Sequence, residues 1–274
     1  MTRYPRLLFA MAMLWLLGLH MVLLAASLPV VRHLRVHARA WPVGLAPMRL
    51  VLLSDLHVAT PGDSPAHLAH VVAQVNALAP DLVLIAGDFL STGELLAEAA
   101  PLQDSTAPLA GVRARLGTIA VLGNHDYGAG RAPRVTAALR HEGVTLLDND
   151  AVRRGPLAIV GVSDANTNHD RVPAAIDRGR AVGGLAVMLT HSPDAIPKLP
   201  AGVDLALAGH THCGQVTLPW IGAVTTGSHW GRRYACGVVR EGDRTSVITA
   251  GLGTSNLPIR LGAAPDLWVI DVGR

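Results

Sequence analysis

Five short polar clusters in this sequence carry side chains that bind divalent metal ions. Each cluster directly follows an apolar run that predicts a buried strand. The clusters are Ser54-Asp55-Leu56-His57, Gly87-Asp88-Phe89, Gly123-Asn124-His125-Asp126, Thr190-His191-Ser192 and Gly209-His210-Thr211-His212. Carboxylate oxygens, imidazole nitrogens and an amide oxygen together suit Mn, Fe, Co or Zn. Such a set cannot be buried without charge compensation, which cations would supply.

The clusters are expected to meet at one place, because each follows the carboxyl end of a predicted strand. Open α/β sheets bind ligands in the crevice outside these strand ends. A single motif says little, since Asn, Asp and Gly are also common turn residues. The ordered set of five is much more specific. We also expect each Asp-x-His or His-x-His pair to place both donors on one side of an extended segment.

The elements that must position these clusters can be predicted from apolar spacing. Strands are predicted at 49–53, 81–86 and 118–122, and helices at 65–79, 94–115 and 131–142, with prolines interrupting the second helix. Further strands are predicted at 144–147, 151–154, 157–162, 185–190, 204–208, 215–218, 234–239, 244–249 and 266–271. Alternation of strands and helices followed by runs of strands predicts a layered α/β sandwich with two mixed β-sheets flanked by helices.

The N-terminal segment predicts a membrane anchor. Residues 7–31 contain no Asp, Glu, Lys or Arg, and a spanning helix needs about 20 apolar residues. A cleavable signal peptide is the alternative, although its apolar region is usually shorter, about 7–15 residues. The predicted organisation is an anchor at 1–31, a juxtamembrane linker at 32–48 and a catalytic domain at 49–274. Arginines flank the anchor on both sides, so either orientation in the cell (inner) membrane is open.

The net charge and the cysteine content argue against two classes of protein, those that bind nucleic acid and those held together by several disulfides. The formal net charge is only +3, and no basic stripe of the kind that binds nucleic acid is present. The two cysteines, Cys213 and Cys236, do not predict a disulfide framework.

The ordered clusters resemble the calcineurin-like metallophosphoesterase family. The family pattern is Asp-x-His, Gly-Asp, Gly-Asn-His-Asp/Glu, His and Gly-His-x-His, and all five blocks occur here in that order between residues 55 and 212. Two further stretches, 209–216 and 251–260, resemble the bacterial membrane-associated YkuE-like branch. The resemblance implies a metallophosphoesterase-type α/β sandwich after the linker.

The resemblance also implies roles for individual residues. Two divalent ions, Mn, Fe or Zn, are expected. The first would be bound by Asp55, His57 and His212, the second by Asn124, His191 and His210, and Asp88 would bridge them. His125 would be the catalytic residue beyond the metals, since side chains that are neighbours in an extended loop point in opposite directions. A metal-bound hydroxide would attack phosphorus, while His125 would stabilise a phosphoryl oxygen or protonate the leaving oxygen.

The implied function is hydrolysis of a phosphodiester or pyrophosphate, with a substrate that the anchor suggests is lipid-linked. Some relatives hydrolyse the pyrophosphate of UDP-2,3-diacylglucosamine, which is one alternative. A non-catalytic scaffold that retains the fold is another, although such proteins typically lose metal ligands. Two positions depart from the pattern of relatives. Ser91 replaces an Asp that orients the catalytic His in many of them, so His125 is expected either to be a weaker acid or to be assisted by Asp126. Cys213 replaces the Gly usual in this branch and is interpreted as a tolerated small residue, with a reactive thiol near the metals as the alternative. Substrate-binding residues and oligomeric state are not predicted.

Overall fold

The computed structural model describes residues 4–58, 64–91, 102–255 and 257–274, except for the side chains of residues 5 and 6. Helices are α1 (Tyr4–Ala25), α2 (Pro65–Ala77), α3 (Leu102–Thr106), α4 (Asn124–Tyr127), α5 (Ala132–His141) and α6 (Val172–Val182). Strands are β1 (Val30–His37), β2 (Met48–Leu53), β3 (Leu82–Ala86), β4 (Thr118–Val121), β5 (Val144–Leu146), β6 (Asp150–Arg154), β7 (Leu157–Val162), β8 (Leu185–Thr190), β9 (Leu205–Ala208), β10 (Thr217–Leu218), β11 (Gly222–Ala223), β12 (Gly237–Glu241), β13 (Arg244–Ile248) and β14 (Asp266–Gly273).

Two mixed six-stranded sheets form the centre of the domain. One has the order β1-β14-β2-β3-β4-β5, and the other β12-β13-β9-β8-β7-β6. In the first sheet β2 to β5 run parallel and β14 is antiparallel to β2; in the second β13, β9, β8 and β7 run parallel. β10 and β11 form a separate two-stranded hairpin. The predicted pair of mixed sheets is confirmed.

Alternation along the strands divides the core into layers. In β2, Leu50 and Leu52 join side chains of both sheets in one buried cluster, whereas Val51 and Leu53 pack on the outer face with α2 and α5. Successive side chains of a strand point to opposite faces, so both faces of this sheet are covered. A third cluster packs α6 onto the other sheet. The result is a helix–sheet–sheet–helix sandwich.

The N-terminal region differs from the prediction in two respects. α1 ends at Ala25, before the expected end of the anchor at residue 31. The expected linker at 32–48 begins with a strand instead, because β1 pairs in parallel with β14 along its whole length. β1 is an edge strand in which Arg32 donates to Asp266 at 2.8 Å. The 19 residues Leu7–Ala25 are long and apolar enough to cross a membrane.

The remaining predicted elements agree closely, with some exceptions. The helix predicted at 94–115 falls partly outside the described residues; the described part is α3 followed by a 3₁₀ turn at Ala107–Gly111. α6 was not predicted, and the strand predicted at 215–218 shortens to β10.

Candidate metal centre

The five polar clusters lie together at the carboxyl ends of β2, β3, β4, β8 and β9. Backbone hydrogen bonds join their loops: Asp55 N donates to Gly87 O at 2.9 Å, and Gly209 N donates to His191 O at 3.0 Å. The first bond joins the loops that follow β2 and β3, which are neighbours in one sheet. The second joins the loops that follow β8 and β9, which are neighbours in the other sheet. The side chains converge because the loops leave their strands in fixed register.

The backbone of these loops is left-handed at most of the predicted metal ligands. The φ angles are 51° at Asp55, 44° at His57, 54° at Asp88, 72° at His210 and 49° at His212. Positive φ is uncommon for residues other than glycine and concentrates at functional sites. The expectation of extended Asp-x-His and His-x-His segments was therefore wrong. A left-handed turn, not strand alternation, brings each pair of donors to the same side.

Two glycines permit the close approach of these loops. Gly87 has a φ of +80°, and a β-carbon there would lie 2.6 Å from Gly123 N. Gly251 has a φ of +72°, and its β-carbon would lie 2.6 Å from Asp55 Cβ. Any larger residue would displace the Asp55 or Gly123 loop.

The first group of donors comprises Asp55, His57 and His212, all buried. His212 Nε2 lies 3.2 Å from His57 Nε2 and 3.4 Å from Asp55 Oδ1. The three ligand atoms lie within 4.8 Å of one another. Asp55 Oδ1 is buried and accepts no hydrogen bond within the described part of the chain. An unsatisfied buried carboxylate oxygen between two imidazoles fits a cation.

The second group comprises Asp88, His191 and His210, with Asn124 beside them. His191 Nε2 lies 3.2 Å from Asp88 Oδ2, 3.0 Å from Asn124 Oδ1 and 3.1 Å from His210 Nδ1. Asp88 Oδ2 also lies 3.7 Å from His57 Nε2 in the first group. The structure thus brings all seven predicted ligands together, with Asp88 between the two groups.

Hydrogen bonds to backbone carbonyls orient three of the imidazoles. His57 Nδ1 lies 3.2 Å from Leu90 O, His191 Nδ1 lies 2.7 Å from Ala86 O, and His210 Nε2 lies 3.2 Å from Gly227 O. A ring nitrogen that donates to a carbonyl leaves the other nitrogen with a free lone pair. In each case that second nitrogen is the one that faces the other donors.

The electrostatics of the centre also favour cations. Burial lowers the pKa of His212 to about 3, against the attraction of the Asp55 carboxylate. Burial likewise lowers the pKa of His57. Burial would lower the pKa of His191 as well, but the adjacent Asp88 carboxylate outweighs it and raises that pKa well above its usual value. His57 and His212 are therefore neutral beside carboxylates, the state that metal binding requires, whereas a metal ion at His191 would displace the proton that the Asp88 carboxylate holds there.

His125 lies beside these donors, but its backbone is helical and not extended as expected. Asn124 and His125 belong to the single turn of α4, so their side chains point about 100° apart rather than in opposite directions. The expected extended loop was wrong. His125 Nε2 lies 3.8 Å from Asp88 Oδ2, and its ring packs edge-on against His57 at 4.8 Å. Its Nε2 could join His57 and Asp88 in a third group of ligand atoms.

Asp126 holds the Asp88 loop through backbone hydrogen bonds. Its Oδ2 accepts from Gly123 N at 2.9 Å and Asp88 N at 3.0 Å, and its Oδ1 accepts from Phe89 N at 3.0 Å and Leu90 N at 3.3 Å. Burial, followed by the charge of Asp88, raises the pKa of Asp126 to about 7. Both carboxylate oxygens face backbone donors, so this geometry gives Asp126 a structural task in place of the expected assistance to His125.

Sequence reasoning did not assign a role to Arg260, which is fully buried behind His212. Its guanidinium donates to the carbonyl oxygens of Ala250 at 2.8 Å, Gly251 at 3.2 Å and Ala263 at 3.1 Å. The same guanidinium lies 3.5 Å from His212 Nδ1. Arg260 therefore fixes the loop that packs on the first group of donors. A lone charge in an apolar, glycine-rich stretch was the only signal.

A disulfide and a polar loop lie near the centre. Cys213 and Cys236 form a disulfide with a Cα–Cα distance of 4.7 Å, so Cys213 is neither a merely tolerated small residue nor a free thiol. In the polar loop at 164–170, the side-chain amide of the exposed Asn166 lies 2.8 Å from His210 Nε2, next to a predicted ligand.

A two-sheet α/β sandwich that gathers Asp, His and Asn donors at its strand ends defines a metallophosphoesterase domain. The chain belongs to the calcineurin-like phosphoesterase family, whose model matches residues 48–214. Members of this family depend on metal ions. The expected family resemblance is therefore confirmed.

Several curated proteins are similar to this chain along most of its length. A zebrafish (Danio rerio) protein described as a transmembrane protein with metallophosphoesterase domain is 28% identical over 89% of this chain and 57% of its own length. A Bacillus subtilis protein described as uncharacterized metallophosphoesterase YkuE is 26% identical over 83% of this chain and 80% of its own. The chain spans little more than half the length of the zebrafish relative.

Proposed function

We propose that this protein is a dinuclear metal-dependent hydrolase of phosphodiesters or pyrophosphates, held at a membrane by α1. The observation that carries the proposal is the position of Asp88. Its Oδ2 lies 3.2 Å from His191 Nε2 and 3.7 Å from His57 Nε2, so one carboxylate faces both groups of donors. A carboxylate in this position suits the bridge between two divalent ions.

Two divalent ions at these donors would activate a water and neutralise charge that develops on the phosphoryl group. The residues of the chain then have separate tasks. The two donor groups would hold the ions, and hydrogen bonds to backbone carbonyls keep three of their imidazoles in one orientation. His125 Nε2 lies near Asp88 but outside the two principal groups, where it would protonate the leaving oxygen or donate a hydrogen bond to a phosphoryl oxygen.

Neither alternative function is favoured. A non-catalytic scaffold would not need seven donors with oriented imidazoles, because unpaired buried carboxylates only destabilise a protein. A UDP-2,3-diacylglucosamine pyrophosphohydrolase would use the same centre, so the centre does not single out that substrate.

The test is metal-dependent turnover by the full chain in detergent. Protein stripped with a chelator should regain hydrolysis of bis-p-nitrophenyl phosphate when Mn²⁺, Fe²⁺ or Zn²⁺ is added, and should turn over the monoester p-nitrophenyl phosphate more slowly. His210→Ala should lose this activity. His141→Ala is the matched control, since His141 is exposed at the end of α5. Failure of every metal to restore turnover, or equal loss in both variants, would refute the proposal.

A further inference from the structure

The end of the apolar helix α1 is fixed to the catalytic domain. Arg260 N donates to Met21 O at 3.0 Å, and Ala25 is only 5% exposed. Met21 lies four residues before the end of α1, or about 6 Å along the helix axis. A bilayer spanned by α1 would therefore have its surface at the level of the 257–260 segment.

The same segment is bonded to the β10–β11 hairpin. Gln215 Nε2 donates to Leu257 O and to Ile259 O, both at 3.0 Å, and Thr217 N donates to Leu261 O at 2.7 Å. The hairpin strands are only two residues long, so the tip at 219–221 lies within about 10 Å of these bonds. The helix end, the 257–261 segment and the hairpin thus form one connected surface.

This surface exposes large apolar side chains. Trp220 is 102% exposed, Ile221 52%, Val224 61% and Leu257 61%, and we refer to these four residues as the apolar rim. Seven large apolar side chains beyond residue 37 are exposed in the described part of the chain, and five of them lie between 220 and 257. Concentrated exposure of this kind marks an interaction surface.

The chemistry of the rim matches a lipid surface more closely than a protein partner. The sequence from 214 to 230 contains no Asp, Glu, Lys or Arg. Between 251 and 265 the sequence has one such residue, Arg260, and its side chain is buried. Tryptophan is enriched at the level of lipid headgroups. An apolar patch that binds a protein partner is usually surrounded by polar residues, and these two stretches of sequence supply no charged side chain at the surface for such a border.

We propose that the apolar rim inserts into the interfacial region of the same bilayer that α1 spans, so that the domain has a second, orienting membrane contact. A groove of about 340 Å³ lies between the rim and the metal centre. Its lining combines the apolar Val216, Val224, Leu257 and Ile259 with His210 and His212 of the metal centre. If the proposed function holds, this groove would receive the apolar part of a phosphate ester drawn from the membrane.

The insertion can be measured independently of catalysis. The full chain is reconstituted into phosphatidylcholine–phosphatidylglycerol vesicles with a nitroxide label at Ile221→Cys. The matched control is Val43→Cys, an 83% exposed apolar position in the loop beyond the far end of β1, about 23 Å along that strand. The native cysteines are paired and do not compete for the label.

The label at position 221 should collide with oxygen more often than with a water-soluble nickel chelate, whereas the label at position 43 should show the reverse. Equal preference for the nickel chelate at both positions would overturn the proposal. In a second variant, Trp220→Glu is combined with the label at 221. Loss of the apolar indole should lower the ratio of inserted to free hairpin by about tenfold or more. An unchanged accessibility in that variant would also count against insertion.

Activity measurements separate this proposal from the proposed function. Trp220→Glu should retain turnover of soluble bis-p-nitrophenyl phosphate and lose turnover of a phosphodiester lipid presented in vesicles by about tenfold. Equal turnover of the vesicle substrate by both proteins would contradict the role of the rim in substrate access. Absence of all turnover in the unaltered protein would refute the proposed function, and the accessibility measurement would still decide membrane insertion.

Discussion

Asp126→Asn tests whether Asp126 holds the Asp88 loop in place or assists His125 in catalysis. Asparagine has nearly the same shape but carries one oxygen and one NH₂ group. Each carboxylate oxygen of Asp126 now accepts two backbone N–H bonds, at distances from 2.9 to 3.3 Å. In either orientation the new NH₂ group would face two backbone donors, which would lose their acceptor.

The magnitude follows from those two lost bonds. A buried donor left without a partner costs about 1–3 kcal/mol, so Asp126→Asn should destabilise the fold by about 2–6 kcal/mol. For a domain of this size, that corresponds to a fall in the unfolding temperature of between about 4 and 24 °C. The Asp88 loop would also shift, so affinity for metal should fall together with stability.

The assay is thermal unfolding of the full chain at about pH 8, above the pKa of about 7 that burial gives Asp126. Unfolding is measured with chelator and again with saturating Mn²⁺, since the chelator separates the fold from metal binding. Asp177→Asn is the matched control, because Asp177 is exposed on α6 and its ion pair with Arg180 lies at the surface. An unchanged unfolding temperature, combined with a loss of turnover only for substrates with poor leaving groups, would refute the structural role. Asp126 would then be the residue that assists His125.

Three further changes test the roles of His125, β1 and Arg260. His125→Ala should retain both metals while kcat falls by ~10²–10⁴, with the smaller loss for good leaving groups such as p-nitrophenolate; loss of metal, measured by elemental analysis, would make His125 a ligand. Deletion of residues 1–27 should leave a folded domain, whereas deletion of 1–40 should lower its unfolding temperature because β14 loses the β1 pairing; equal stability would show that β1 is dispensable. Arg260→Lys should lower metal affinity and stability, because an ammonium cannot replace a planar fork that donates to several carbonyls; Arg244→Lys, at another carbonyl-binding arginine remote from the centre, is the control for metal affinity.

Much of the fold could be predicted from the sequence because its strands are strongly patterned. β2, β3 and β4 are short apolar runs that end at polar clusters, and buried parallel strands have this appearance. β1 was missed because it is a half-exposed edge strand, in which Arg32, His33 and Arg35 interrupt the apolar residues. Its first residues, Val30 and Val31, also continue the apolar composition of the anchor.

The ligand set could be predicted by residue type and order, but its geometry could not. Asp55 and His57 converge through positive φ angles, and although Asp and His adopt such angles more often than most residues, residue type alone does not reveal where they occur. Asn124 and His125 lie on one helical turn that is too short to show any periodicity. The disulfide joins cysteines 23 residues apart, and two cysteines alone do not reveal a pairing.

The proposed dinuclear centre depends on one carboxylate, Asp88, that would serve both metal ions. Asp88→Asn keeps the shape of the side chain and its place against His125 N, 2.9 Å from Oδ1, but removes the charge that faces both donor groups. Metal content per chain and turnover of bis-p-nitrophenyl phosphate are measured on the same sample. We expect two metals per chain and turnover in the unaltered protein, and loss of at least one metal and nearly all turnover in the variant. Two tightly bound metals with full activity in Asp88→Asn would show that the Asp88 charge does not serve both ions.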